Sequence, residues 1–563
     1  MSPQRRPAGS EPAETADPPA PARTVPAPPA DLVPLLEYSR RALEDYRPGD
    51  AGRAAAVFAR RHWGRALPAG ADPAMAVEFH RLRHIVAAEL ALDAEAVAAL
   101  GDWLDAARAA GRADQELLAR ATGVATAVAA SSATGVAFPE LAQLANRILT
   151  GGGGGFSPAV ARAAVSLAEA AVGNRRTDLA RGLVTWLRTT PAAGPLADEL
   201  AVLDARVLLE EHAPAARAEA ARRCTEVRAA PAGDPAAADL AAARVLVRLH
   251  EEDGDLAAQI RELDAVARGC DAAGLDLTGV RALRLLTARH LEAGDYAEVL
   301  RWGAAGLNRS RGLPDNGWSL DIGLTLALTH LRLGNPVEAL ARARQVIEAS
   351  RAPHLAARHD DAHLLAATAA ERRGEPARGA RLLVCDAAHL RELGAATAAS
   401  RRLRLAARML APAAGEPAAT TVAETLRDRF GLSPETAGDG DVPGALMAQA
   451  HALQEDPAEE PAWWADFAHV RLLAGRFEEA IRHAGAAAEG HRAAGAPEAA
   501  AEAQLVAVLA ELQRGDAAAA RARGAAISAS LGEAGADHPV RLRLAELLGD
   551  PGAAGGAAGT AGD

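Results

Sequence analysis

The sequence predicts an all-α fold: a right-handed superhelix (solenoid) of stacked antiparallel helix hairpins with a period of about 40 residues. A glycine-based turn signature recurs at this spacing, a second set of glycines follows it, and the composition favours helices. A fixed period of this size is typical of stacked hairpins, because one hairpin cannot bury its apolar face without its neighbours. The copies of the turn signature are Gly254-Asp255, Gly294-Asp295, Gly334-Asn335, Gly374-Glu375, Gly475-Arg476 and Gly515-Asp516.

The second set of glycines is expected to mark the end of the second helix in each hairpin. A glycine just past a helix end supplies the left-handed cap. These glycines, each half a period after a turn glycine, are Gly274, Gly394, Gly495 and Gly535. Extending the turn spacing backwards predicts earlier turns at positions with helix breakers or polar residues, near Ala213-Pro214, Gly173-Asn174, the Ser131 to Pro139 loop and Leu92-Asp93.

The composition agrees with this fold class. Half of the residues are hydrophobic but only 3% are aromatic, and alanine is the commonest type, which favours close-packed helices over strands. At 563 residues the chain is longer than one hydrophobic core usually serves. A quasi-one-dimensional array of about eleven hairpins satisfies both observations.

The charged residues exclude several classes of function. The chain has no lysine, so all 61 basic residues are arginine, and chemistry that needs an amine, such as a Schiff base, is excluded. The formal net charge is −12 and no basic cluster is visible, so direct nucleic-acid binding is not expected. The three cysteines are far apart and no stretch is long and apolar enough for a membrane span, so we expect a cytoplasmic protein.

The pattern divides the chain into six segments. The leader and the tail are rich in proline, alanine or glycine and are expected to be disordered. The segment after residue 410 interrupts the helical pattern and is interpreted as an expanded repeat or as a hinge. The segments are a leader (1–30), an N-terminal hairpin outside the strict spacing (31–72), a main array (73–410), the irregular insert (411–443), C-terminal hairpins (444–548) and a tail (549–563).

Three of the turns share a longer pattern, GDYAEVL from Gly294, GNPVEAL from Gly334 and GRFEEAI from Gly475. This pattern resembles the inner turn of the tetratricopeptide repeat (TPR), in which a small residue after the turn lies where the two helices touch. The usual period of that family is about 34 residues. The longer period here is similar to the helical sensor arrays of large bacterial transcriptional regulators. HEAT-type repeats have a closer period but do not explain the turn.

The resemblance implies a binding groove on the concave face, lined by the first helix of each hairpin. Arginine forks in such a groove can grip carboxylates, whereas the lysine-based clamp of chaperone-binding members is absent. The positions that match the ligand-facing positions of the family are Arg244, Arg248, Glu251, Glu252, Arg281, Arg284, Glu292, Asp321, Arg332, Asp361, Glu371 and Arg372. The alternative is a solvated face with no dedicated partner.

These observations lead to three hypotheses of function. The first is a non-enzymatic scaffold that binds a protein or peptide along the concave face. The second is a ligand-responsive regulatory module of a bacterial transcriptional or signalling system. The third is a metallohydrolase that uses His359 and His363, whose spacing is that of a zincin helix with aspartate in place of glutamate.

The histidine patterns have simpler interpretations that we prefer. Neither His359 and His363 nor the equally spaced His80 and His84 has an identifiable third ligand in the sequence, so both pairs are expected on solvated helix faces. His250, His290 and His330 recur four residues before the turn glycine, where a half-buried ring for packing is expected. We therefore expect no catalytic residue, no cofactor and no metal site. The pair Trp463-Trp464 is expected to pack against the insert.

Overall fold

The computed structural model describes residues 27–549, except 69, 91, 131–138, 152–155, 232–234, 315–316, 352–354, 416, 432–440 and 532–537. The predicted leader and tail lie almost wholly outside these residues, and so does Gly535. The described residues form α-helices and short 3-10 turns and contain no strand. The prediction of an all-α fold is therefore confirmed.

The helices of the first half of the chain are α1 (Leu32–Glu44), α2 (Pro48–Arg61), α3 (Pro73–Glu89), α4 (Asp93–Ala109), α5 (Ala113–Ala130), α6 (Pro139–Leu149), α7 (Pro158–Gly173), α8 (Thr177–Arg188), α9 (Ala197–Leu209), α10 (Pro214–Ala229), α11 (Pro235–Glu252), α12 (Leu256–Ala273), α13 (Asp276–Glu292) and α14 (Tyr296–Arg309). The helices of the second half are α15 (Gly317–Arg332), α16 (Pro336–Ala349), α17 (Ala356–Arg372), α18 (Pro376–Glu392), α19 (Ala396–Leu410), α20 (Pro417–Phe430), α21 (Val442–Ala452), α22 (Glu460–Leu473), α23 (Phe477–Ala493), α24 (Pro497–Gln513), α25 (Ala517–Ser530) and α26 (Pro539–Leu548).

The helices pair into hairpins that repeat with the spacing of the glycine turns. The first helices of successive hairpins begin at residues 32, 73, 113, 158, 197, 235, 276, 317, 356 and 396. The N-terminal hairpin therefore follows the spacing, and the expectation that it lies outside the strict spacing was wrong. The sequence of this hairpin shows no glycine at its turn because Tyr46, with a φ of 55°, adopts the left-handed conformation instead.

Three of the four turns predicted by backward extension also fall between helices, near Ala213, Gly173 and Leu92. The fourth, the Ser131 to Pro139 loop, lies almost wholly outside the described residues.

The two residues of the Gly-Asp signature end one helix and start the next. At Gly294 the φ angle is 74°, a left-handed conformation that favours glycine. The amide of Asp295 donates to the carbonyl of His290 at 2.9 Å, and its side chain accepts from the amide of Glu298 at 3.3 Å. One residue thus closes the end of α13 and caps the start of α14. All six turn glycines named above have positive φ angles.

Successive hairpins stack through their first helices, so α13 packs on α15 and α15 on α17. The helix described within the insert packs on the preceding hairpin. Within residues 411–443, α20 packs on α18 and buries Val422 and Leu426 in a core that also contains Val442 and Trp463. Trp463 is 5% exposed and donates to the carbonyl of Met447 at 3.0 Å, so it packs as expected.

The N-terminal hairpins also contact the middle of the array, far along the chain. The guanidinium of Arg53 on α2 donates to the carbonyl of Ala273 at 3.2 Å, and Arg60 pairs with Asp276 at 2.7 Å. Leu277 is 3% exposed and belongs to the core formed by α1 to α4. The superhelix therefore closes one turn on itself, which we call the closure contact.

Candidate functional site

A cavity of about 390 Å³ lies where the N-terminal hairpins meet the first helices of later hairpins, which we call the inner helices. Helices α1 to α3 form one side of it, and α7, α9, α11 and α13 form the other. This volume falls in the range of sites that hold a small molecule or a short peptide segment. The charged residues that line it are Arg81, Glu89, Arg162, Glu169, Asp198, Glu199 and Arg244.

Most of these charges are already compensated inside the protein. Arg81 pairs with Glu78 at 2.5 Å and donates to the hydroxyl of Ser39 at 2.9 Å, and all three residues are buried. Arg162 pairs with Glu199 at 2.5 Å, and Glu169 pairs with Arg206 at 3.0 Å. These pairs fix the walls of the cavity and leave little charge for a ligand.

Two arginines on the inner helices lack such a partner. Within the described part of the chain, neither Arg244 on α11 nor Arg281 on α13 lies within ion-pair distance of a carboxylate. Arg281 follows Thr278, a lining residue, by one helical turn. Although its side chain keeps contact with solvent, the protein around it lowers the pKa of Arg281, and the charge of Arg244 lowers it further. A bound anion would relieve both effects.

An acceptor faces the same region. Glu89, at the end of α3, forms no ion pair in the described residues, and its Oε2 atom is buried without a hydrogen-bond partner. Its charge opposes the lowering of the pKa of Arg281. Among the described residues, the cavity wall therefore contains one unpaired arginine, Arg244, and one unpaired carboxylate, Glu89, and a second unpaired arginine, Arg281, lies beside it. This arrangement suits a ligand with a carboxylate and a hydrogen-bond donor.

The other predicted groove residues form ion pairs between neighbouring inner helices. Arg284 and Arg358 both reach Asp321, at 3.4 and 2.7 Å. Arg289 joins Glu251 and Glu292, both at 2.7 Å. These pairs link α11, α13, α15 and α17 into a ladder along the stacked first helices.

The remaining predicted residues lie further from the cavity. Arg248 pairs with Glu210 at 2.6 Å, and Glu252 pairs with Arg217 at 2.5 Å. Arg372 donates to the carbonyl of Leu331 at 2.6 Å. Arg332, Asp361 and Glu371 are exposed. Of the twelve predicted residues, only Arg244 lines the cavity, with Arg281 beside it.

The expectation that both histidine pairs lie on solvated helix faces was wrong. His359 and His363 are 7% and 5% exposed, and His84 is 2% exposed with its Nδ1 atom 2.9 Å from the carbonyl of Ala96. The fourth ring, His80, is half-buried and lies 3.6 Å from the carboxylate of Asp102 on α4. Of the three histidines before the turn glycines, His290 is buried and the other two are half-buried.

The pair on α17 has a third neighbour that the sequence did not reveal. One ligand atom each from His359, His363 and Asp386 lies within 4.8 Å of the others, and Asp386 is fully buried on α18. Burial, with the charge of His359, lowers the pKa of His363 to about 4, so its ring is neutral at neutral pH. The only signal in the sequence is an Asp386-x-x-His389 pattern on the following helix.

The chain matches no family model, and no curated protein is similar to it in sequence. Its structure is similar to that of apo RapI, with 9% identity and a TM-score of 0.38 over 63% of this chain and 99% of RapI. It is also similar to a signal-transduction ATPase with a tetratricopeptide repeat sensor from Pyrococcus horikoshii, with 9% identity and a TM-score of 0.34 over 92% and 79% of the two chains. The Cut9–Hcn1 complex gives 12% identity and a TM-score of 0.21 over 91% and 95%.

The stacked hairpins and their glycine turns make this chain an all-α solenoid of helical repeats. None of the helices in the described residues is both long and apolar enough to cross a lipid bilayer.

Proposed function

We propose that this protein is a non-enzymatic, cytoplasmic scaffold that binds a peptide on its concave face, and that a carboxylate of the peptide enters the cavity at Arg244 and Arg281. The observation that supports this is the pair of uncompensated arginines beside a cavity whose other basic groups are paired. Arginine binds carboxylates through two parallel hydrogen bonds, which gives both affinity and orientation.

The inner ladder of ion pairs supports a preformed site. Because Asp321, Glu251 and Glu292 already hold their arginines, the concave face needs little reordering when a ligand binds. A rigid site leaves most of the ordering cost to the ligand, which favours a short or extended peptide. Glu89 is then placed to accept a hydrogen bond from a peptide amide or amine.

Selection from a random library of short peptides with free carboxyl ends tests this proposal. Peptides that bind the wild-type protein should bind Arg244→Gln and Arg281→Gln about 10-fold or more weakly, because each variant removes a charge-assisted hydrogen bond. Arg268→Gln is the matched control, since Arg268 lies on α12, the second helix of its hairpin, and its side chain is 69% exposed. Equal binding by all variants would contradict the proposal.

The closure contact favours a second function, a ligand-responsive module of a regulatory system. A ligand in the cavity would touch α1 to α3 together with α11 and α13, so binding would change the free energy of the closure contact. Small-angle X-ray scattering with and without a selected peptide distinguishes the two functions. A regulatory module should change its radius of gyration, whereas a plain scaffold should keep it.

A further inference from the structure

We propose that His359, His363 and Asp386 form a binding site for one divalent transition-metal ion of the zinc class, within the hairpin of α17 and α18. This site is separate from the cavity and does not depend on the proposed function. The three side chains are all more than nine-tenths buried, and their candidate ligand atoms lie within 4.8 Å of one another. Two imidazoles and a carboxylate are ligands that suit zinc and its neighbours better than magnesium or calcium.

Unpartnered atoms inside the cluster give independent support. The Nδ1 atom of His363 and the Oδ1 atom of Asp386 are buried with no hydrogen-bond partner in the described part of the chain. Buried polar atoms are nearly always satisfied, because one left without a partner destabilises the folded state. A metal ion between them would satisfy both atoms at once.

Neighbouring side chains form hydrogen bonds with the candidate ligands, as the residues around the ligands of known metal sites do. The hydroxyl of Ser350 lies 3.2 Å from Nδ1 of His359, which orients that ring. The guanidinium of Arg402 donates to Oδ2 of Asp386 at 3.0 Å, so the other oxygen of the carboxylate faces the cluster. Such outer contacts fix ring orientation and ligand direction.

A fourth histidine, His389, lies beside the cluster on the side of the solvent. The ring of His389 lies 4.7 Å from that of His359 between centroids, and its Nε2 atom has no partner in the described residues. His389 is half-buried, so the cluster is one side chain away from the surface. Ligand atoms of a tetrahedral zinc site with bonds of about 2.1 Å are about 3.4 Å apart, so side-chain shifts of about 1 Å assemble the site.

The ion would act as a structural link. Ser350 caps α16, His359 and His363 belong to α17, Asp386 to α18 and Arg402 to α19. Binding would therefore join the two helices of one hairpin, α17 and α18, and raise the thermal midpoint of the protein as the free metal concentration rises.

The test uses the full-length protein, stripped of metal by a chelator and titrated with zinc or cobalt. We expect one ion per chain and, with cobalt, the intense visible absorption of a tetrahedral complex. Asp386→Asn and His363→Gln should each weaken zinc binding 10-fold or more. His80→Gln is the matched control and should bind zinc as the wild type does, because His80 belongs to a pair with the same spacing that joins no group of three converging ligand atoms in the described residues.

A thermal shift keeps the proposal testable if the buried variants fail to fold. Zinc should raise the thermal midpoint of the metal-free wild-type protein, and that of His80→Gln to the same extent, with a rise that saturates at one ion per chain. The proposal is overturned if the wild-type protein binds less than one ion per chain, if the two variants bind zinc as the wild type does, or if zinc leaves the thermal midpoint of the wild-type protein unchanged.

Discussion

The indole nitrogen of Trp318 donates a hydrogen bond to the backbone carbonyl of Glu89 at 2.5 Å, across 229 positions of the sequence. This bond lies at the point where the N-terminal hairpins meet α15. The guanidinium of Arg284 lies 4.4 Å from the centre of the same indole ring. Trp318 therefore links the closure contact to the ion-pair ladder along the stacked first helices.

Trp318→Phe tests this link, because it keeps an aromatic ring and removes the donor. We expect a loss of about 1–2 kcal/mol from the closure contact, because the carbonyl of Glu89 is left without its partner. Hydrogen exchange measured by mass spectrometry should show faster exchange in α1 to α4. Trp464→Phe is the control, because Trp464 packs on Phe467 and His483 in the C-terminal part of the array. Unchanged exchange in α1 to α4 would show that the bond does not hold the turn closed.

Gly52 allows the close approach of α2 to α13. A Cβ atom at this position would lie 3.0 Å from a methyl group of Leu275. Gly52→Val should therefore push the two helices apart at a cost of about 1–3 kcal/mol and increase the radius of gyration measured by X-ray scattering. Gly101→Val, where a Cβ atom meets nothing within 4 Å, should leave the radius unchanged.

Local chemistry explains why the hairpins were predictable and the closure contact was not. The Gly294 turn is determined by three or four adjacent residues, so its signature is visible in the sequence. Gly52 and Leu275, or Glu89 and Trp318, meet only because many small rotations between hairpins add up to one turn. No single residue encodes that sum.

The candidate sites follow the same division. The resemblance to the TPR family placed Arg244 and Arg281 on the face lined by the first helices. It could not show that the neighbouring arginines form ion pairs and that these two do not. His359 and His363 were visible as a spaced pair, whereas Asp386 belongs to the next helix and contacts them only after the hairpin folds. Burial was misjudged there because polar histidines interrupt an alanine-rich face.

The cap at Asp295 gives a local prediction for the repeat signature. Asp295→Ala removes the acceptor for the amide of Glu298 and should cost about 1 kcal/mol. Asp295→Asn keeps an acceptor at the same place and should cost little. Urea denaturation followed by circular dichroism measures both. If the alanine variant is as stable as the asparagine variant, the side chain does not act as a cap.

His84 gives a prediction of pH dependence. Burial lowers the pKa of His84 in the folded protein below its ordinary value of about 6.5, while in the unfolded chain the ring titrates normally. As the pH falls through this value, the ring of His84 therefore binds a proton in the unfolded state but stays neutral in the folded state. The stability that depends on the neutral ring is present above that pH and is lost toward lower pH.

His84→Asn should make this loss smaller. Asparagine does not titrate, and its side-chain amide can donate to the carbonyl of Ala96 that the Nδ1 atom of His84 contacts at 2.9 Å. The midpoint of urea denaturation, measured between about pH 7 and pH 5, should fall less steeply in this variant than in the wild type. His491→Asn, at a half-exposed position, is the control. If His84→Asn and the wild type lose stability in parallel, the buried ring of His84 is not the source of the acid sensitivity.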